Sequence, residues 1–420
     1  MWRAGCRFWG FLFTFAVLMK ILILCKKFPY PLREGEPIAI TYLSRSLHEL
    51  GASLTLLAMN TTKAFFPVEK LPTTYNHFEQ IHSVTVDNRI SILGALKSLI
   101  HGDSYILSRF NSPEFAARLK NILTNQAFDI VQIETPYLAQ YIPLIRQFSQ
   151  AKISMRAHNV EHEIWQRVAR NTRSFFKKWY LLQQNASLKK FEIDSLELYD
   201  ILVAITQRDL GVFKKLGYRH ASVVAPVGIH AEDYRPGFSA FSQKPSLAFI
   251  GALDWMPNQE GVAWLLDEVW PALSVEFPFL RLEIAGKNTP GWLLKKQTGG
   301  VIFLGEVESA VDFINSHQIL VAPLFSGSGI KVKVLEGMAL GRVVITTPIG
   351  AEGIPATHGE HFLIAQTPAE FHHAVKFCIE NPVQVSQIST KARQFIKDHF
   401  DSRAIAARVF DSYKKITAAG

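Results

Sequence analysis

Residues 318–354 read QILVAPLFSGSGIKVKVLEGMALGRVVITTPIGAEGI. The order of element types in this stretch decides the fold: strand, glycine loop, helix, strand, glycine loop. Ile319 to Pro323 is a short apolar run suited to a buried parallel strand. Gly327-Ser328-Gly329 follows after three residues. Its glycines permit a tight turn and let backbone N–H groups approach a ligand. A helix is expected from about Ile330, so its free N–H groups and the positive end of its dipole would face the loop, an arrangement that suits phosphate. Lys331, in the expected first turn, is at the wrong end for helix stability and at the right end if an anion sits there. Glu336 falls in the second turn, and helical side chains lean back toward the N-terminus. Its carboxylate cannot sit on a phosphate, but it can accept two hydrogen bonds from a diol. A ribose beside a diphosphate fits both halves. Spacing alone leaves a bland alternative open: a structural turn followed by an ordinary exposed glutamate. The GxxxxGK[ST] spacing of a Walker loop is missing. Ile345 to Pro348 is the next expected strand, with Gly350 and Gly353 in its loop. In open parallel sheets ligands bind where such loops meet.

Working outward, 420 residues are enough for two domains, each with its own core. The net charge of +9 favours anionic partners, such as nucleotide diphosphates, lipid phosphates or an acidic membrane surface. No basic-aromatic repeat, zinc spacing or basic helix supports nucleic acid. Cys6, Cys25 and Cys378 form neither a disulfide framework nor a metal motif, which fits a reducing cytoplasm. Arg3 and Arg7 precede an apolar run from Phe8 to Met19, short for a membrane span. No small-x-small cleavage site follows it. Residues 1–18 are therefore expected to be an upstream extension, with Met19 as a plausible start, against the alternative of a weak membrane anchor.

Ile21–Cys25, a turn-rich loop with Gly35, a helix from about Ile38 to Leu50 and a strand from Ser53 to Ala58 make a βαβ start. Glu34 and Glu36 flank Gly35 and would repel a diphosphate, so they are expected to face an acceptor, a cation or solvent. Ile90 to Ile100 reads as an amphipathic helix. Phe128–Glu134 and Lys152–Arg156 are further strands, the first ending at Glu134-Thr135-Pro136-Tyr137, the second at Ala157-His158-Asn159. Asn159 is expected to cap the next helix. His158, read by itself, is structural more often than catalytic. From Phe175 to Leu198 a helix carries Trp179, Leu182, Ala186, Ile193 and Leu196 at helical spacing, an expected buried stripe. Arg167, Arg170, Arg173, Lys177 and Lys178 make this region basic, either as a solvated face or as a patch for anionic lipid.

GSGIKVKVLEGMALGRVVITTPIGAEGI closely resembles the donor motif of glycosyltransferase family four, and RAHNVEHEIWQRVARN resembles the acceptor-domain signature of the same branch, one with a GSG-x-K donor loop. The resemblance runs nearly the whole chain from Met19. It implies an α/β GT-B fold: two Rossmann-like domains facing each other across a cleft, with a C-terminal helix crossing back to the first. The implied division is a first, acceptor-side domain over 19–228, a linker over 229–245, a nucleotide-sugar domain over 246–400 and the returning helix over 401–420. The implied activity is hexosyl transfer from a nucleotide-diphosphate sugar with retention of configuration, without metal and with no cofactor beyond that sugar substrate. It implies that Glu336 holds the ribose, that Gly327, Ser328, Gly329 and Ile330 meet the diphosphate, and that His158 contacts the donor sugar. Many members carry a glutamate at the position of Ser328, and a basic pair in the loop that here reads Gly251-Ala252-Leu253-Asp254-Trp255. Without that pair, Lys331 and Lys333 would carry more of the phosphate charge. Gly35, Gly251, Asp254, Gly286, Lys287 and Val307 complete the expected donor side, the last in the loop where the family reads the base. The expected partners are a nucleotide-sugar donor, a glycan or lipid-linked acceptor and the anionic inner face of a membrane, with no nucleic acid; the expected setting is cytoplasmic polysaccharide or glycoconjugate biosynthesis. Two other readings remain: an epimerase of the same fold, and a catalytically silent sugar-nucleotide-binding subunit of a membrane assembly.

Overall fold

A computed structural model describes residues 18–32, 35–89, 104–172, 174–237, 245–327 and 329–418. Apolar runs bounded by turn residues pair into two wholly parallel sheets. The first comprises β1 (Lys20–Cys25), β2 (Ser53–Thr61), β3 (Gln80–Val86), β4 (Ile130–Ile133), β5 (Lys152–Ala157), β6 (Ile201–Ala204) and β7 (Ala221–Val224), in spatial order β3-β2-β1-β4-β5-β6-β7. The second comprises β8 (Ser246–Ile250), β9 (Arg281–Ala285), β10 (Val301–Gly305), β11 (Ile319–Ala322), β12 (Val343–Thr346) and β13 (Leu363–Ile364), in order β10-β9-β8-β11-β12-β13. Strands such as β4, β6, β11 and β12 are buried along their whole length. That explains their near-continuous Ile, Leu and Val, since helices cover both faces of a parallel sheet.

In each sheet the chain starts centrally, builds one side, then returns past its starting strand to build the other. The strand order therefore reverses between β1 and β4, and again between β8 and β11. Loops leaving the carboxyl ends of these strands border the crevice where such folds bind ligands.

The helices that matter for the site are α1 (Gly35–Glu49), α2 (Glu161–Asn171), α3 (Phe175–Asp194), α4 (Met256–Trp264), α5 (Val332–Ala339), α6 (Pro382–His399) and α7 (Ser402–Ala418). The chain passes between the sheets twice, and the passes lie side by side. Ile229 N donates to Phe400 O at 2.7 Å, and Ser402 N donates to Ile229 O at 3.2 Å. A Cβ on Gly228 would fall 2.6 Å from Ser402 Cα, so only glycine allows this approach. Helix α7 then packs on α1. Its buried Tyr413 donates to Gln132 Oε1 at 2.7 Å and lies 2.7 Å from Ser154 Oγ, so the last helix is anchored in the first domain, as the resemblance implies.

Several local expectations are corrected. The helix after the glycine loop starts at Val332, not near Ile330, and Lys331 is its N-cap residue in extended backbone. The following strand is Val343–Thr346 rather than Ile345–Pro348. Thr347 already belongs to the turn, its hydroxyl bonded to Leu324 O and accepting from Gly350 N. Helix α3 ends at Asp194, and Leu196–Leu198 forms a separate 3-10 turn. Of its expected buried stripe, Trp179, Leu182 and Ala186 face outward, Ile193 is half-buried and Leu196 is buried. The face turned to the protein is Leu181, Gln184, Asn185, Leu188 and Glu192. Its polar members have partners there: Gln184 Oε1 accepts from Tyr105 N at 2.6 Å, and Glu192 accepts from Glu161 N at 3.1 Å. Asn159 does not cap α2. Val160 occupies the cap position without a side-chain bond, and Glu192 of α3 receives the N–H groups of Glu161 and His162 instead. The expected helix over 90–100, the segment 1–17, Glu34, Arg173 and Ser328 lie outside the described residues.

Candidate active site

The loop leaving β11 runs through Gly327 and Gly329, both with positive φ (115° and 71°), conformations that a side chain would strain. It delivers the chain to α5, which has no side-chain cap. Lys331 folds back over the loop, and its Nζ donates to Gly329 O at 2.6 Å. Burial pulls its ammonium down to about 8, with Glu352 opposing and Arg167 reinforcing the shift, so it stays largely protonated at neutral pH. Lys333, the second residue of α5, passes beneath the β8 loop. Its Nζ donates to Asn258 Oδ1 at 3.0 Å and lies 4.5 Å from the centre of the Phe249 ring. A Cβ on Gly251 would meet that Nζ at 2.5 Å, so this glycine makes room for the lysine. Burial brings Lys333 down to about 7.

Glu336 projects from the same helix toward the first pass between the domains. It accepts from Tyr234 Oη at 3.0 Å, and Tyr234 Oη lies 2.9 Å from Tyr42 Oη on α1. Burial pushes its carboxyl up to about 7, against the pull of the Tyr234 bond and of Lys333.

Across the crevice, His158 follows β5 and points its Nε2 at Glu134 Oε2, 2.8 Å away at the end of β4. Glu134 is fully buried. Burial would raise its carboxyl, but Arg156 at 3.3 Å and His158 more than offset this and hold it below the usual carboxylate value. Gln132 binds its other oxygen. The imidazole is thus held by an anion that is itself held on three sides. At the end of β1, Lys26 pairs with Glu36 at 3.2 Å, so of the partners open to Glu36 it faces a cation. Nearby, Tyr137 Oη donates to Glu161 Oε2 at 2.7 Å.

The two halves touch. A Cβ on Gly329 would fall 2.8 Å from Asn159 Oδ1 and 3.5 Å from His158 O, so the donor-side glycine loop lies directly on the His158–Asn159 turn. A Cβ on Gly35 would fall 3.4 Å from Val332 Cγ2, which places the start of α1 against the start of α5. Arg167 of α2 reaches over and donates to Gly327 O. Gly35, His158, Gly327, Gly329, Lys331, Lys333 and Glu336 therefore gather at one place.

The remaining expected donor residues lie further along the same crevice. Gly286 packs against the backbone of Gly251, at 2.0 Å from a built Cβ to Gly251 O. Asp254 is exposed and accepts from Asn288 Nδ2 at 2.7 Å. A cavity of about 390 Å³ is lined by Gly286, Lys287, Phe303, Leu304, Gly305 and Glu306 among others. Val307 is not on its wall; it packs against the core that holds Val332 and Leu335. Sequence reading missed two residues. Arg167 was one of a basic run with nothing to separate it from its neighbours. Glu134 was visible as a strand-end acid, but its pairing with His158 depends on β4 and β5 being adjacent.

Residues 244–381, about a third of the chain and most of the second domain, match the family model described as glycosyl transferases group 1. A protein of Klebsiella pneumoniae described as an uncharacterized 44.6 kDa protein in the cps region is 25% identical over 309 residues, covering 70% of this chain and 76% of the relative. Among solved structures, sucrose-phosphate synthase from Thermosynechococcus elongatus superposes with a TM-score of 0.73 at 15% identity, over 96% of this chain and 100% of the other. Anabaena HepE in complex with UDP and glucose gives a TM-score of 0.66 at 15% identity, over 94% and 99%. At these identities the likeness establishes the fold: two Rossmann-like domains of the GT-B type.

Proposed function

We propose that this chain is a retaining, metal-independent glycosyltransferase that moves a sugar from a nucleotide-diphosphate sugar to a glycan or lipid-linked acceptor, in cell-surface polysaccharide or glycoconjugate biosynthesis. The observation that carries this reading is that the loop around Gly327 and Gly329, with Lys331 folded over it and Glu336 on the helix it leads into, lies against the turn carrying His158, which Glu134 holds. The match of residues 244–381 to glycosyl transferases group 1, the fold shared with a UDP- and glucose-bound protein, and a relative in a cps region support it.

In this reading the nucleotide lies along the second domain, its base toward the 390 Å³ cavity and its ribose diol on Glu336. As the bond between the anomeric carbon and the phosphate oxygen breaks, charge gathers on the diphosphate. The loop amides, Lys331 and Arg167 stabilise that charge in a site shielded from water. The acceptor hydroxyl attacks from the leaving-group side, its proton passing to the departing phosphate oxygen, so the configuration is kept. His158, fixed by Glu134, hydrogen-bonds the sugar. The protein works against the inner face of an anionic membrane.

A panel of nucleotide sugars, followed by thermal shift and by release of free sugar and nucleotide, tests this. Slow hydrolysis of one donor that also raises the melting temperature is expected. Stabilisation without any release would turn the reading toward a silent binding subunit, and sugar conversion without nucleotide release toward an epimerase.

A further inference from the structure

Helix α3 has two faces, and among the described residues one is packed on the protein while the other carries a row of exposed apolar side chains. The inner face, centred on Leu181, Gln184, Leu188 and Glu192, packs on the first domain. On the outer side, Phe175 is 77% exposed, Phe176 82%, Trp179 50% and Leu182 41%. Phe175, Trp179, Leu182 and exposed Ala186 recur at helical spacing on one face, with Phe176 beside it. The rings of Phe175 and Phe176 touch edge to face, their centroids 5.7 Å apart. Exposed single apolar residues need no explanation, but a contiguous aromatic stripe does.

Charge identifies what covers it. Between Glu163 and Glu192 the sequence contains no acidic residue, while Arg170, Arg173, Lys177, Lys178, Lys189 and Lys190 fall inside that span. Of these, Arg170, Lys177, Lys189 and Lys190 are exposed and Lys178 is half-buried. Rings and Leu on one face, with cations alongside and no carboxylates, is the composition of a helix lying in the interface of an anionic bilayer. Among the described residues no helix is long and apolar enough to cross a membrane.

We propose that the outer face of α3 docks on anionic lipid, inserting Phe175, Phe176 and Trp179 between headgroups while the neighbouring lysines and Arg170 contact phosphates. Helix α2, which sends Arg167 to the glycine loop, runs directly into this patch, so docking brings the crevice next to the lipid surface. The docking stands on the surface of α3 alone; its use in delivering a lipid-linked acceptor rests on the glycosyltransferase reading.

Co-sedimentation of the full chain with phosphatidylcholine vesicles, with and without about a third phosphatidylglycerol, tests it. The chain is expected to bind the anionic vesicles and to be released by salt. The variant Phe175→Ser/Phe176→Ser/Trp179→Ser should lose at least about ten-fold in partitioning. Lys189→Gln/Lys190→Gln, exposed on either side of the stripe, should lose the preference for anionic lipid. Both variants should keep the melting temperature and nucleotide-induced shift of the parent, because every altered side chain is on the surface. Failure of the parent to bind anionic vesicles would overturn the proposal. So would equal binding by the aromatic variant, which would place membrane contact elsewhere, as on residues 8–19. A dimer in light scattering that the aromatic variant splits would also overturn it, since a second copy would then cover the face. Vesicle binding in the absence of any nucleotide-sugar turnover would leave the docking standing and the enzymatic reading fallen.

Discussion

Tyr234 Oη donates to Glu336 Oε1 at 3.0 Å, joining the first pass between the domains to the side chain proposed to hold the ribose. Tyr42 of α1 extends the contact into the first domain at 2.9 Å. The carboxylate is therefore addressed by the hinge, by the first domain and by Lys333 on its own helix. Replacing Glu336 by Ala should weaken donor binding by roughly 1–3 kcal/mol, the cost of leaving a buried polar group without its partner, measured by calorimetry with the nucleotide sugar identified in the panel. Unchanged affinity would remove Glu336 from the ribose.

The same carboxyl gives a pH signature. Its folded value near 7 lies above the ordinary 4.5, because burial favours the neutral acid. Between those values the folded chain holds a proton that the unfolded chain has released. The contribution of Glu336 to stability therefore falls as pH rises through that window and is fully lost above about 7. Glu336→Gln should flatten this part of the melting-temperature profile between about pH 5 and pH 7. A parallel profile in the variant would contradict the burial of this group.

Lys331 should act in the other direction. With its ammonium brought down to about 8 by burial, it is half-protonated near that pH. A diphosphate arriving beside it favours the charged form. Nucleotide binding at pH 8 should therefore take up roughly half a proton from this group, seen as a dependence of calorimetric enthalpy on the buffer's ionisation enthalpy. Lys331→Ala should reduce that dependence to the part that Lys333, at about 7, supplies, and lower turnover more than donor affinity. Equal losses in both would mark a passive contact.

The pair of His158 and Glu134 separates chemistry from folding. His158→Ala should abolish transfer and leave nucleotide binding intact, since the histidine lies on the opposite domain; full activity would take it out of the site. Glu134→Gln should do more. It leaves the buried Arg156 guanidinium without its anion at 3.3 Å, a loss on the order of 3–5 kcal/mol that a denaturant titration would register. A variant as stable as the parent would mean that Ala39 O, which accepts from Arg156 at 3.0 Å, is support enough.

What the sequence disclosed and what it hid divide along a physical line. Strand positions and the glycine-loop element were legible because burial on both faces forces apolar runs, and because a loop such as 327–330 needs residues that tolerate positive φ. Glu336, one turn into the helix after that loop, could be placed by helix geometry alone. Helix α3 shows the limit. Periodicity reported an apolar face correctly, but it could not say that the protein would instead cover the face carrying Gln184 and Glu192, whose polar groups find partners in the fold. The cap of α2 was hidden for the same reason, since Glu192 reaches it from thirty residues away in sequence. Contacts between separate elements leave no local pattern to read.

Arg167 is the sharpest case of such a contact, and its position leads to a test of domain closure. It belongs to the first domain, yet its guanidinium donates to Gly327 O in the loop proposed to receive the diphosphate, close enough to Lys331 to depress that ammonium. Two cations thus converge on one loop from opposite sides of the crevice, and one of them is present only while the domains are together. A nucleotide binding to the open second domain meets Lys331 but not Arg167. Arg167→Gln should therefore leave donor affinity within about two-fold and lower kcat by one to two orders of magnitude, roughly 1.4–2.7 kcal/mol of lost transition-state stabilisation. Arg167→Lys, which keeps the charge without the planar fork, should recover only part of the loss. Equal falls in affinity and turnover would show that the guanidinium contacts the donor before closure, and unchanged turnover would show that it merely braces Gly327.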